Sequence, residues 1–379
     1  MNETSFNYDI IIIGGGLAGL ASSIQLAKAG YKVALFEKEH YPFHKVCGEY
    51  ISMESWDYLH RLGAELHLLN LPLINKLTIS SPSGHCIHSP LHPGGFGISR
   101  FKLDHLLCLK AIEAGVKVFE KTKVDRVETG NSRFQVSAGE SKFYSKLVLG
   151  AWGKRSNLDI KLKRPFIEST KQSKNYIAVK YHINYPFDQD MVALHNFNGG
   201  YCGISSVEDG KTCLCYLTND IALKKSGGNI RDMEEKVLMV NPYLKEIFNK
   251  AEFLYDKPLV ISQVSFLPKS PVEKGIFMAG DTAGLITPLC GNGMSMALRS
   301  SDMLCKLIPG YMDDKVSRNE LQTTYIREWK KEFSQRLITG RIVQANFGKP
   351  RLTELFLKVL TPFPGIVKRV VRLTHGKSF

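Results

Sequence analysis

Ile10–Glu39 reads IIIIGGGLAGLASSIQLAKAGYKVALFEKE, and this stretch limits the possible fold more tightly than any other in the chain. Tyr8–Ile13 is an apolar, β-branched run apart from Asp9. Such a run suits a central parallel strand buried on both faces. Gly14, Gly16 and Gly19 then follow the G-x-G-x-x-G spacing. The first glycine permits a tight turn, the second lets a pyrophosphate approach the backbone, and the third lets a helix pack closely on the strand. Leu17–Gly30 is the expected helix, kept slim by Ala18, Ala21 and Ala27. The N–H groups of its first turn, at Leu17 and Ala18, would point at phosphates, and its dipole favours their charge. Tyr31–Phe36 is a second strand, and Glu37 ends it 18 residues after Gly19, where an acid can accept both ribose hydroxyls. A glycine-rich turn in some other α/β protein would leave Glu37 unexplained. The acid also disfavours a ribose phosphate, so FAD or NAD suits the site better than NADP.

A second glycine–aspartate turn decides between them. GIFMAGDTAGLITPLCGNGMSMALRSSDML runs from Gly275 to Leu304. Ile276–Ala279 reads as a short buried strand, Asp281 follows Gly280, and a glycine-rich loop opens a helix near Met294. The stretch resembles the GD motif of FAD enzymes with the p-hydroxybenzoate-hydroxylase-like fold. The resemblance implies that Asp281 bonds the FAD ribitol. It also places Pro288, Gly291, Asn292, Gly293 and Met294 at the pyrimidine end of the isoalloxazine, where a helix N-terminus stabilises negative charge on reduced flavin. Gly280 belongs to the same turn. Ser99–Gly115 resembles the family's Arg-x-x-Leu helix start, which puts Arg100 near the flavin or the pyrophosphate. Lys38 and Val124 complete the candidate cofactor contacts. Lys146–Leu158 resembles a strand ending in Gly-Ala-Asp-Gly-x-x-Ser, except that Trp152 replaces the Asp. That departure bears on direct NADPH docking. The electron donor is expected to be a reduced pyridine nucleotide or a separate reductase.

PFHKVCGEYIS, from Pro42 to Ser52, resembles the Lys-x-Cys-Gly-Asp/Glu loop of the geranylgeranyl-reductase branch of the same superfamily. The resemblance implies that Cys47 faces the flavin or substrate, that Gly48 allows close backbone approach, and that Glu49 holds the loop or relays a proton. Cys290 lies in a second Cys-Gly loop, so Cys47 and Cys290 form a candidate redox pair; two inert buried thiols are the alternative. Cys47, Glu49 and Cys290 are the candidate catalytic residues. The prenyl reductases carry a Tyr-x-Trp-x-Phe-Pro strand over the substrate. Gly199–Leu217 offers Tyr201, the candidate substrate contact, without that Trp or Pro, and the Trp-x-Trp-x-Ile-Pro stretch of halogenases is also missing. Cys213 and Cys215 share one strand face and read as packing. The eight cysteines form no CxxC pair and no zinc-like spacing, so no metal site is expected.

The expected fold is mixed α/β. It comprises a Rossmann-like FAD-binding domain with a parallel sheet (1–160 and 270–310, with an excursion at 40–100), an antiparallel β substrate domain (161–269) and a helical C-terminal region (311–379). Strands are expected at Tyr176–Asn184, Met191–Phe197, Gly200–Ser206 and Thr212–Thr218, with a hairpin at Leu73–Ser81 and His85–His88. Half of the formal charge of +14 lies in Arg341–Phe379, where eight Lys/Arg face Glu354 alone. The remainder is only mildly basic, which argues against a nucleic-acid partner. In the tail, Leu352, Leu355, Phe356, Val359 and Leu360 follow helical spacing, and Ile366, Val367, Val370 and Val371 form a second apolar stripe. This suits either a peripheral membrane or carrier-protein contact, or a helix pair packed on its own domain. The N-terminal apolar run lacks a basic flank and is too short to span a bilayer, so a cytoplasmic location is expected, membrane-peripheral if the tail makes the first of these contacts.

The functional expectation is an FAD-dependent oxidoreductase. A monooxygenase hydroxylating an apolar aromatic, polyketide or lipid-like substrate through a flavin C4a-hydroperoxide comes first. A geranylgeranyl-reductase-like enzyme acting on lipid C=C bonds is the alternative, and a flavin-binding sensor or carrier is the third.

Overall fold

The computed structural model describes residues 6–130, 133–170, 175–287 and 291–379, arranged around two sheets. In the first, the strands Ile276–Met278, Ser141–Gly150, Phe6–Ile13, Val33–Phe36 and Lys117–Phe119 run parallel in that order. Ile10, Ile11 and Ile12 at its centre are wholly buried, as expected of a strand covered on both faces. The helix Leu17–Lys28 follows the first strand and packs against the helices Arg100–Glu113 and Gly293–Met312.

The second sheet is built from Glu252–Phe253, Tyr176–Asn184, Thr212–Asn219, Gly200–Ser206, Met191–Phe197, Leu73–Ser80, Cys86–Gly97 and Tyr50–Ser52, in that order. Pairing is antiparallel except between Met191–Phe197 and Leu73–Ser80. The 40–100 excursion thus contributes three strands to the sheet expected of 161–269 alone. The hairpin's second strand, expected at His85–His88, runs from Cys86 on to Gly97 past Pro90 and Pro93. A register shift between Ile74 and Lys76 lies opposite Pro90, and irregularities of this kind are where a sheet tolerates proline. Ser52–Leu62, expected as one helix, is the end of a strand, a 3₁₀ turn at Met53–Ser55 and the helix Trp56–Leu62.

Beyond 311 the chain divides its packing between the two sheets. The long helix Arg318–Asn346 begins with a Ser317–Glu320 capping box and buries Leu321, Tyr325, Trp329 and Phe333 in the core of the first sheet. The helices Pro350–Leu360 and Pro364–Thr374 bury Leu357, Leu360 and Val367 against the second. Phe379 returns to the first layer, its N–H donating to the Glu54 carbonyl at 3.3 Å. Among the described residues, no helix is long and apolar enough to cross a membrane.

Candidate active site

The glycine turn has the geometry its spacing predicts. Gly14 takes φ +105°, a conformation that glycine adopts without strain. A Cβ on Gly19 would collide with the Gly14 carbonyl oxygen, so the helix can seat on the strand only with glycine there. Gly16 differs, because its Cβ position is open and faces Arg100 Nη2 at 3.6 Å and Lys45 Nζ at 3.8 Å. No side chain caps the helix that Gly16 opens, which leaves first-turn N–H groups for an anion. Two cations opposite an uncapped helix N-terminus fit a pyrophosphate.

Asp104 holds those cations. It bonds Arg100 Nε and Nη2 at 2.7 Å each and Lys45 Nζ at 3.0 Å. Burial disfavours the Asp104 carboxylate, but Arg100 and Lys45 outweigh it and hold the group below its ordinary value. Glu37 is buried, with one carboxylate oxygen accepting from Gly15 N at 2.8 Å and the other from Glu39 N at 3.1 Å. It therefore stiffens the turn as well as lining the cavity at the expected ribose position.

The second turn meets the first. A Cβ on Gly280 would lie 3.1 Å from the Ala18 Cβ, so the Gly-Asp turn and the glycine-turn helix are in contact. Lys269 Nζ donates to the Asp281 carbonyl at 2.8 Å and to the Lys154 carbonyl at 3.2 Å, and burial pulls it down to about 8. The helix Gly293–Met312 starts at Asn292 without a side-chain cap, and the Asn292 amide instead donates to the Thr374 carbonyl at 2.6 Å. Gly291 packs against the Tyr50 ring. Pro288 and Cys290 lie outside the described residues, and with them the proposed Cys47–Cys290 pairing. Trp152 donates its indole N–H to Asp159 at 3.0 Å, and Asp159 pairs with the buried Arg164 at 3.0 Å.

The Cys47–Glu49 loop is fastened to the second sheet at several points. Cys213 Sγ donates to the Cys47 carbonyl at 3.4 Å and Ser205 Oγ to the Gly48 carbonyl at 3.1 Å. Glu49 has φ +56° and a wholly buried carboxylate. It accepts from Arg100 N at 2.7 Å, from His182 Nε2 at 2.6 Å and from the Lys180 ammonium. Burial opposes ionisation, yet Lys180 and His182 prevail and hold Glu49 below the usual carboxylate range. Of its two expected roles, holding the loop is the one this geometry fits. Glu49, His182 and Cys213 bring potential ligand atoms within 4.8 Å of one another. With Lys180 on the same carboxylate, a metal ion would meet a cation already in place. His182 Nδ1 bonds the Tyr255 hydroxyl at 2.8 Å, and that hydroxyl bonds His44 Nδ1 at 3.1 Å.

One cavity of about 1320 Å³ connects these parts. It is larger than the roughly 300–1,000 Å³ of a site for one drug-sized ligand. Gly14, Gly16, Leu17, Ala18, Glu37, Lys38, Arg100 and Val124 line one end, and Cys47, Gly48, Gly280, Asp281, Gly291, Gly293 and Met294 its middle. Gly19 and Asn292 stand just behind this lining, as helix packing and helix cap. The far end lies between the second sheet, with Leu77, Ile79, Leu194 and Tyr201, and the C-terminal helices, with Phe356, Leu360 and Val371. Cross-strand register explains this division. Lys180, Cys215, Gly203, Leu194, Ile79 and Ile87 form one row across the sheet, and His182, Cys213, Ser205, Val192 and Leu77 form the next. The face is polar where the loop is pinned and apolar beyond it.

Sequence reasoning assigned no role to Lys45, Asp104, Lys180, His182 or Lys269. Two signals were present: Asp104 sits four residues after Arg100, the spacing of a helical ion pair, and Lys180 and His182 alternate on one face of a strand.

A family model described as an FAD binding domain matches residues 7–337, so the chain belongs to that family of FAD-dependent oxidoreductases. The digeranylgeranylglycerophospholipid reductase of Methanocaldococcus jannaschii is 27% identical, over 89% of this chain and 86% of its own. The menaquinone reductase of Mycobacterium tuberculosis is 23% identical, over 79% and 76%. Among solved structures, a geranylgeranyl bacteriochlorophyll reductase-like protein of Thermoplasma acidophilum superposes with a TM-score of 0.76 at 18% identity, over 99% of this chain and 97% of that one. A flavin-dependent brominase also gives 0.76, at 19% identity, over 97% and 93%. At such identities these structural likenesses show the fold alone.

Proposed function

We propose that this chain is an FAD-dependent reductase that saturates carbon–carbon double bonds in a long, apolar, prenyl-like lipid. The observation that carries the reading is the continuity of the cavity, which joins the dinucleotide cradle to an apolar space between the second sheet and the C-terminal helices. Two relatives matched over most of their length and named as reductases, one of a digeranylgeranylglycerophospholipid and one of menaquinone, support it. Bound FAD supplies hydride chemistry. The chain does the rest. Arg100, Lys45 and the Gly16 turn hold the pyrophosphate, and Asp281 holds the ribitol. Leu194, Ile79 and the C-terminal helices exclude water and align the lipid beside the Cys47 loop. Glu49, kept ionised, fixes that loop and is unsuited to donate a proton. The half-buried Cys47 thiol lines the cavity, and we assign it as proton donor: its Sγ proton would go to one carbon of the double bond, the other carbon would take the hydride the bound cofactor would supply, and the thiolate would regain a proton from water. A reduced pyridine nucleotide or a separate reductase would supply the reducing equivalents.

Hydroxylation remains the second reading, because Tyr201 lacks the neighbouring Trp and Pro of the prenyl-reductase strand. Anaerobic incubation of the photoreduced holoprotein with a geranylgeranyl lipid separates the two. Reoxidation without oxygen, with a product gaining two hydrogens, supports the reductase. Turnover only with oxygen, giving a product with one added oxygen atom, replaces it with the hydroxylase.

A further inference from the structure

The helices Pro350–Leu360 and Pro364–Thr374 have two working faces. Their inner faces bury Thr353, Leu357, Leu360, Val367 and Thr374. Their outer faces expose Leu352 (48%), Leu355 (61%), Val359 (53%) and Ile366 (46%), and Phe363 in the turn between them is 55% exposed. None of these five lines the cavity. Isolated exposed apolar residues are ordinary, but five large ones on two successive helices and the turn between them mark a contact surface. Arg351, Lys358, Lys368, Arg369 and Arg372 are exposed on the same helices. Their one acid, Glu354, is engaged by Ser83 and Lys358.

We infer that this outer surface docks on an anionic lipid bilayer, with both helices lying in the plane of the interface. The chemistry of this surface favours that occupant. Basic residues beside aliphatic and aromatic ones describe an interfacial helix, drawn by anionic headgroups and held by apolar burial. An acidic carrier protein would satisfy the charges but leave the large aliphatic side chains to be covered. The inner faces of these helices roof the apolar end of the cavity, and Phe356 both lines that end and is 42% exposed. Docking would therefore set the cavity roof against the bilayer, so that a lipid enters without crossing water. This purpose rests on the reductase reading, whereas the docking itself does not.

The test is flotation of the full-length holoprotein with vesicles of phosphatidylcholine alone or mixed with phosphatidylglycerol. The expected result is co-flotation with the anionic vesicles, weakened by added salt and roughly tenfold weaker in Leu355→Glu/Ile366→Glu, since each loses several interfacial CH₂ contacts. The double variant should keep its flavin and its activity on detergent-dispersed substrate, so that failure of docking is distinguishable from failure of the reductase reading. No flotation on anionic vesicles, equal flotation of variant and parent, or binding to an acidic carrier protein in place of vesicles would each overturn the inference.

Discussion

Lys180 and Glu49 form an ion pair with both side chains wholly excluded from solvent, tying the Tyr176–Asn184 strand to the loop beside the flavin cradle. The pair lies where the two sheets meet and fixes how the Cys47 loop enters the cavity. Removing one partner leaves a buried charge uncompensated, at a cost of about 3–5 kcal/mol. Lys180→Met should therefore lose about that much stability in denaturant titration. Glu49→Gln/Lys180→Met, with neither charge, should regain a large part of it. A single variant as stable as the parent would remove the pair from the account.

The same pair sets a pH dependence. Glu49 titrates below its ordinary 4.5 in the folded protein. A carboxyl depressed on folding contributes stability that is present above the unfolded value and is lost as pH falls through the folded one. The acid limb of stability should thus fall, below about pH 4.5, less steeply in the double variant than in the parent. Parallel acid limbs would contradict this.

Gly16 and Gly19 should fail in different ways. A methyl on Gly19 meets the Gly14 carbonyl oxygen, so Gly19→Ala must push helix from strand and should melt well below the parent, an overpacking cost of about 1–3 kcal/mol. A methyl on Gly16 has room, its nearest neighbours lying at 3.6 and 3.8 Å. It would, however, occupy the approach of the pyrophosphate. Gly16→Ala should fold with the melting temperature of the flavin-free parent yet purify nearly colourless; full flavin content would refute the assignment.

Lys45 is accessible enough to be removed without unfolding the chain. Its side chain is 24% exposed and its partner Asp104 keeps Arg100. Losing one charged contact to a phosphate is worth about 1.5–3 kcal/mol. Lys45→Met should weaken FAD binding by roughly tenfold or more, read by fluorescence titration of the apoprotein. An unchanged dissociation constant would move the pyrophosphate elsewhere.

Local pattern made much of this protein legible. The strands Tyr176–Asn184, Met191–Phe197 and Gly200–Ser206 have the bounds their alternation predicts. The glycine turn was legible because Gly14 and Gly19 answer local demands of turn and packing. The clamp on Glu49 was not, since its partners lie more than 130 residues away and nothing near the loop announces which strand will cover it. The cavity roof escaped for a related reason. Helical spacing in the tail showed two apolar stripes but not that the inner ones would face Leu194 and Ile79 across a ligand space.

The central claim is that one cavity brings flavin and an apolar lipid into contact. Its most direct test is the flavin difference spectrum when the oxidised holoprotein is titrated with a prenyl-chain lipid. A saturable shift of the flavin bands, lost when Leu194→Glu puts a charge in the apolar wall, is the expected result. A protein that binds the lipid with no change in the flavin spectrum, or that takes up no flavin at all, would contradict the account.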